Sequence, residues 1–143
     1  MTTIIEFLNA RLDEDEAVAR EASVSAGHEA WAAFGYKDIA GVGAPHPDHP
    51  DGEEWYLLDG NLLRQSGDRP LAEYVARHDP ARVLREITAK RAIIEICVGQ
   101  GYVEDGPCSW RTSPPEAPVT WFTLAELAAV YADHPDYQQE WAP

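Results

Sequence analysis

Apolar and polar positions alternate most regularly in DPARVLREITAKRAIIEICVG, Asp79 to Gly99. Val83, Leu84, Ile87, Arg91, Ile94 and Val98 recur at spacings of three and four, so the apolar members share one face of a helix. Arg82, Arg85, Glu86, Lys90 and Glu95 take the other faces, and Glu86 to Lys90 is the favoured i,i+4 order. Asp79 suits the N-cap, Pro80 the first helical position and Gly99 the stop. The pattern predicts a core helix here, and the rest of the chain is organised around it.

A second long helix is predicted from Thr3 to about Ser25. Thr3 and Glu6 form a capping-box pair. Ile5, Leu8, Leu12, Ala19 and Ala22 mark its apolar stripe, interrupted at Asp15. The run Asp13-Glu14-Asp15-Glu16 lies in the middle of it, and Glu16 can pair with Arg20. Four consecutive acids repel one another, so this turn is expected to be solvated or to face basic groups of the core helix.

Between the two helices, Trp31, Phe34, Tyr36 and Ile39 predict a strand near Ala33 to Ile39. GVGAPHPDHPDG, Gly41 to Gly52, reads as a loop by composition. Glu54 to Leu58 and Asn61 to Arg64 flank Asp59-Gly60. Asp-Gly between apolar runs predicts a hairpin with a type I′ turn, which needs positive φ at both positions. Asp68 and Pro70 open a short helix, Leu71 to Arg77, and His78-Asp79-Pro80 separates it from the core helix.

Gly99 to Val119, rich in glycine and proline, reads as a long loop. A final helix is predicted from Thr123 to Ala132, with Thr123 and Glu126 as a capping box and Leu124, Leu127, Ala128 and Tyr131 on its apolar face. Asp133-His134-Pro135 ends it, and the tail aromatics Tyr137 and Trp141 are expected to dock back onto the domain. The expected fold is α+β in a single domain, residues 1–143. Two long packed helices would carry a small antiparallel sheet containing the Asp59-Gly60 hairpin, and a short C-terminal helix would close the core.

Composition narrows the classes. A hydrophobic content of 45% argues against global disorder. No apolar run approaches the ~20 residues that span a bilayer, and the N-terminus turns acidic too soon for a signal peptide. A soluble, cytoplasmic protein without membrane partners is expected. Cys97 and Cys108 do not make a disulfide framework, and Cys97 is expected to be buried in the core helix.

The net charge is -14, from 11 Lys and Arg against 25 Asp and Glu. Arg64 to Arg91 holds seven basic residues and four acids, a local +3, which leaves -17 for the remainder. Direct nucleic-acid binding is disfavoured, because phosphates demand a basic footprint. A basic protein partner suits the charge, and solubility alone is the plainer reading of it.

No motif assigns a reaction. His46, Asp48, His49, Asp51, Glu53 and Glu54 could ligate a divalent metal, but Pro47 and Pro50 between them suit an exposed turn. Cys108 with His78 or His134 lacks a nucleophile's usual setting, as does Ser109. Gly41-Val42-Gly43 lacks the third glycine and following helix of a phosphate loop. The acidic run with Glu21 could imitate DNA phosphates, since helical rise, about 1.5 Å, approaches the duplex charge spacing of about 1.7 Å. Only one turn is densely acidic, however.

FLNARLDEDEAVAR at Phe7 to Arg20, RHDPARVLREITAKRAIIE at Arg77 to Glu95 and YADHPDYQQEW at Tyr131 to Trp141 together resemble a family of small acidic actinobacterial and actinophage proteins without an assigned function. Many members look to carry a His near the end of the core helix, a Cys-x-x-Cys and a Pro-Cys before the final helix, a set that resembles a zinc site. This chain departs there. Glu95 and Ile96 stand where the His would fall, there is no Cys-x-x-Cys, and only Cys108 follows Pro107.

No metal, cofactor or catalytic residue is therefore expected. The expectation is a non-enzymatic protein-binding module. The resemblance would make it an accessory protein acting on a host component. A DNA mimic using the acidic N-terminal helix and a carboxylate- or metal-dependent enzyme are the alternatives. The partner surface is expected to use Asp13, Glu14 and Glu16 against a basic patch, with Trp110, Trp121 and Trp141 as the apolar contribution.

Overall fold

The computed structural model describes residues 2–36, 39–45, 54–56, 69–99 and 119–143. In chain order these hold α1 (Ile4–Ala26), β1 (Ala32–Tyr36), β2 (Ile39–Pro45), β3 (Glu54–Tyr56), α2 (Arg69–Arg77), α3 (Pro80–Gly99), α4 (Val119–Ala129) and a 3-10 turn, Gln139–Trp141. The described protein is thus mostly helical, with a small antiparallel sheet. It divides into two compact units. Unit 1 is residues 1–15 with 87–143, and unit 2 is residues 16–86. No helix among the described residues is long and apolar enough to cross a membrane.

In unit 1, α1 begins at the expected capping box. The Glu6 amide donates to Thr3 Oγ1 at 3.1 Å, and the Thr3 amide donates to the Glu6 carboxylate at 2.9 Å. Ile4, Phe7, Leu8 and Leu12 are buried, while Ile5 is only half-buried. The stripe is therefore rotated from the one centred on Ile5. From α3, Ile87, Ile94 and Cys97 are buried, whereas Val98, expected on that face, is largely exposed. The reason is the helical period. At 3.6 residues per turn, a face through positions 87 and 94 reaches 97 or 98, and here it settles on 97.

α4 starts four residues earlier than its capping-box signal. Thr123 and Glu126 lie inside the helix rather than at its head, and Trp121, Leu124, Ala125 and Ala128 are its buried face. Ser/Thr-x-x-Glu also occurs in helix interiors, so the pattern alone does not fix a start. Beyond Ala129 the chain winds through i to i+3 turns. Tyr131 N–H donates to Ala128 O at 2.9 Å, and His134 N–H donates to Tyr131 O at 2.9 Å. These turns carry the tail back to bury Trp141.

In unit 2 the sheet order is β1-β2-β3, antiparallel throughout. Tyr36 pairs with Ile39, so β2 begins where the first strand was expected to end. Residues 41–45, expected as loop, are strand. Gly41 and Gly43 pair with Phe34 and Ala32, because the sheet supplies hydrogen bonds that composition does not reveal. β3 realises part of the strand expected over 54–58 and pairs with β2. The Asp59-Gly60 hairpin lies outside the described residues. α2 packs on β1 and β2. Val42 and Ala72 are fully buried there, and Trp31, Ala33, Val75 and Ala76 pack around them.

Asp79 ties this unit together. Its Oδ1 accepts the Arg82 amide at 2.7 Å as the N-cap of α3, and its Oδ2 accepts the Trp31 amide at 3.2 Å. The Ala81 amide donates to Glu29 O at 3.0 Å beside it.

Candidate functional site

The acidic run is the densest charge on the chain, and each of its carboxylates has a partner within the chain. Asp13 pairs with Arg91 of α3 at 2.5 Å, and Glu14 pairs with Arg11 at 2.8 Å. Asp15 accepts the Tyr131 hydroxyl at 2.6 Å. Burial, then this hydrogen bond and the charge of Asp15, push the Tyr131 phenol well above its ordinary value. Glu16, in unit 2, pairs with Arg20 at 2.6 Å. Asp13 and Glu14 nevertheless remain largely exposed, at 72% and 62% of their side chains. The expectation that these acids face basic groups of the core helix is met at Arg91.

Of the expected apolar contributors, Trp121 and Trp141 are each only 5% exposed and belong to the interior of unit 1. Trp110 lies outside the described residues. Sequence reasoning missed the residue at the centre of this interior, Phe7. Its ring meets Trp141 at 5.0 Å, His134 at 5.8 Å, Tyr137 at 6.1 Å and Tyr131 at 6.3 Å between centroids. Arg11 lies over the same ring at 5.5 Å. Its guanidinium contacts His134 Nε2, and the Asp136 amide donates to His134 Nδ1 at 3.1 Å. Arg11 is itself buried, and its Nε meets no acceptor among the described residues. Two of the three stretches that carry the family resemblance, around Phe7 and around Tyr131 to Trp141, therefore meet at this cluster.

Little here suits covalent chemistry. Burial pushes the Cys97 thiol up, which keeps it protonated and unreactive. His78 donates from Nδ1 to Tyr74 O at 2.8 Å and stacks on the Tyr74 ring at 4.3 Å. Among the described residues no group of three or more His, Cys, Asp or Glu could hold a metal ion. Cys108 and the side chains of the cluster from His46 to Glu54 lie outside the described residues.

A surface feature of α3 was also missed. Ala89, Ala92, Ile93 and Ile96 follow i, i+3, i+4, i+7 spacing, and all four are exposed, Ile93 at 37% and Ile96 at 58%. They form a stripe on the side away from Ile87, Ile94 and Cys97. The helix carries apolar side chains on both faces, and among the described residues only one of the two is buried. The signal is present in the sequence, as the complement of the buried stripe.

These features define the class, a small, mostly helical α+β protein with an acidic surface. The chain belongs to a family of unknown function (DUF6221), whose family model matches residues 1–143. No curated protein and no solved structure matches it.

Proposed function

We propose that this protein is a non-enzymatic module that binds another protein through the second apolar face of α3. One observation carries the reading: Ala89, Ala92, Ile93 and Ile96 line up along a helix whose opposite face is already buried. An exposed apolar stripe with polar rims is the usual form of a helix-docking surface. A role as an accessory protein acting on a host component is the narrower form of this reading, supported by the resemblance to actinophage proteins. The test is a photo-crosslinking residue placed at position 96 of the full chain in cells, with position 140 as the control. A discrete adduct is expected from position 96, and Ile93→Asp should abolish it. No adduct, or an equal adduct from position 140, would refute the binding role of this face.

A further inference from the structure

We infer that the partner segment seated on α3 is a cationic amphipathic helix. This rests on the docking role proposed for that face and adds the chemistry of its occupant. Unit 1 carries 12 Asp and Glu against 4 Lys and Arg, a net charge of -8. Its cations among the described residues are engaged internally. Arg11 pairs with Glu14, Arg91 pairs with Asp13, and Lys90 stands over the Tyr131 ring at 5.8 Å. Glu95, beside Ile96 on α3, is exposed, as are Glu126, Asp133 and Glu140 of the same unit.

Toward the N-terminus of α3 the same face runs on through Arg85, which is exposed, and Arg82, which Glu86 engages at 2.7 Å. At its other end, by Ile93 and Ile96, an occupant meets apolar side chains beside Glu95, within a protein of net charge -14. That charge repels a second copy of the chain, a nucleic acid and an anionic membrane alike, and it draws in a segment bearing Lys or Arg beside its apolar face. A stripe at i, i+3, i+4, i+7 is the ridge that a second helix packs against, so a helix is the complementary form.

The experiment uses two synthetic amphipathic helices of about 15–20 residues, long enough to be helical. Both share one leucine face, and the polar face is lysine in one and glutamate in the other. Binding to the full-length protein is read by fluorescence anisotropy. The lysine peptide should bind and the glutamate peptide should not. Ile96→Asp should raise the lysine peptide's Kd about tenfold or more, whereas unspecific attraction to an acidic chain would be unchanged or strengthened by the added carboxylate. Glu95→Lys should weaken the lysine peptide and admit the glutamate peptide.

Equal binding of the two peptides, no binding of either, or an Ile96→Asp variant that binds like the parent would overturn the inference. A lowered melting temperature in Ile96→Asp would mean that the face is covered within the chain. A parent dimer in sedimentation that Ile96→Asp dissolves would make the occupant a second copy. Either result overturns the inference as well. An adduct at position 96 together with charge-blind peptide binding would remove only the cationic partner and leave the docking role standing.

Discussion

Among the described residues, the interior of unit 1 is made of large side chains brought together from the two ends of the chain, and that of unit 2 of small side chains with backbone hydrogen bonds around them. In unit 1, Phe7 is 2% exposed and surrounded by rings from the last residues of the sequence. Among the described residues of unit 2, the fully buried side chains are Val42 and Ala72, and Asp79 accepts two backbone amides from separate segments. The contrast teaches where stability is concentrated. A buried aromatic contributes through contact area and leaves a large void when removed. A small core beneath a three-stranded sheet loses less at any one site and depends more on satisfied backbone groups.

The largest effect should come at Phe7. Phe7→Ala is expected to cost about 3–5 kcal/mol, the usual range for a buried aromatic cut to alanine. Urea unfolding gives the loss, and amide exchange locates it. Exchange should rise in residues 2–15 and 119–141. A loss near that of an exposed site, about 0.5 kcal/mol, would break the comparison by showing that the ring cluster bears little of the stability.

The matching change in unit 2 is smaller. Val42→Ala removes two methyl groups from a fully buried site and should cost about 2 kcal/mol, transfer and cavity together. A cost equal to that of Phe7→Ala would mean that the sheet and α2 are as tightly specified as the aromatic interior. Asp79→Ala should follow at about 1–2 kcal/mol, because it uncaps α3 and leaves the Trp31 amide without its acceptor. Asp79→Asn separates geometry from charge. It retains one acceptor oxygen and should recover part of the loss in thermal denaturation.

What was legible in the sequence follows from how local each feature is. The Thr3–Glu6 capping box, the Asp79 cap, Pro80 at the head of α3 and the burial of Cys97 depend on residues within one turn, and local pattern reached them. The docking of Tyr137 and Trp141 was expected only in general terms. That they would close on Phe7 depends on a contact between opposite ends of the chain, and a stripe on Ile5, Leu8 and Leu12 differs from one on Ile4, Leu8 and Leu12 by a single residue's rotation. β2 was missed for a related reason. Gly41, Gly43 and Pro45 have poor strand propensity, and only pairing with β1 and β3 makes them a strand. The acids at 13–16 were found by composition. Glu14 and Glu16 pair within α1, with Arg11 and Arg20, and local spacing already offers the second pair. That Asp13 and Asp15 are also paired follows from the placement of Arg91 and Tyr131, which no single-segment pattern contains.

The smallest effect at neutral pH sharpens the comparison most finely, because it tests a polar link inside the aromatic unit. Tyr131 donates to Asp15, and burial together with that carboxylate holds its phenol above the ordinary value of 10. At neutral pH, Tyr131→Phe keeps the ring beside Phe7 and loses one hydrogen bond, a cost of about 0.5–1.5 kcal/mol. The alkaline behaviour carries more information. A phenol raised in the folded state retains its proton there after the unfolded chain has released its own. Its contribution is therefore fully present below the unfolded value, and it is lost as pH rises above about 10 through the folded value. The parent should lose stability in that window more steeply than Tyr131→Phe, so their difference should shrink or reverse as pH rises. Denaturant titrations at neutral pH and above pH 10 measure both slopes. Parallel slopes would mean that the phenol titrates alike in the folded and unfolded chain, and that the link between Tyr131 and Asp15 gives way where the ring packing around Phe7 does not.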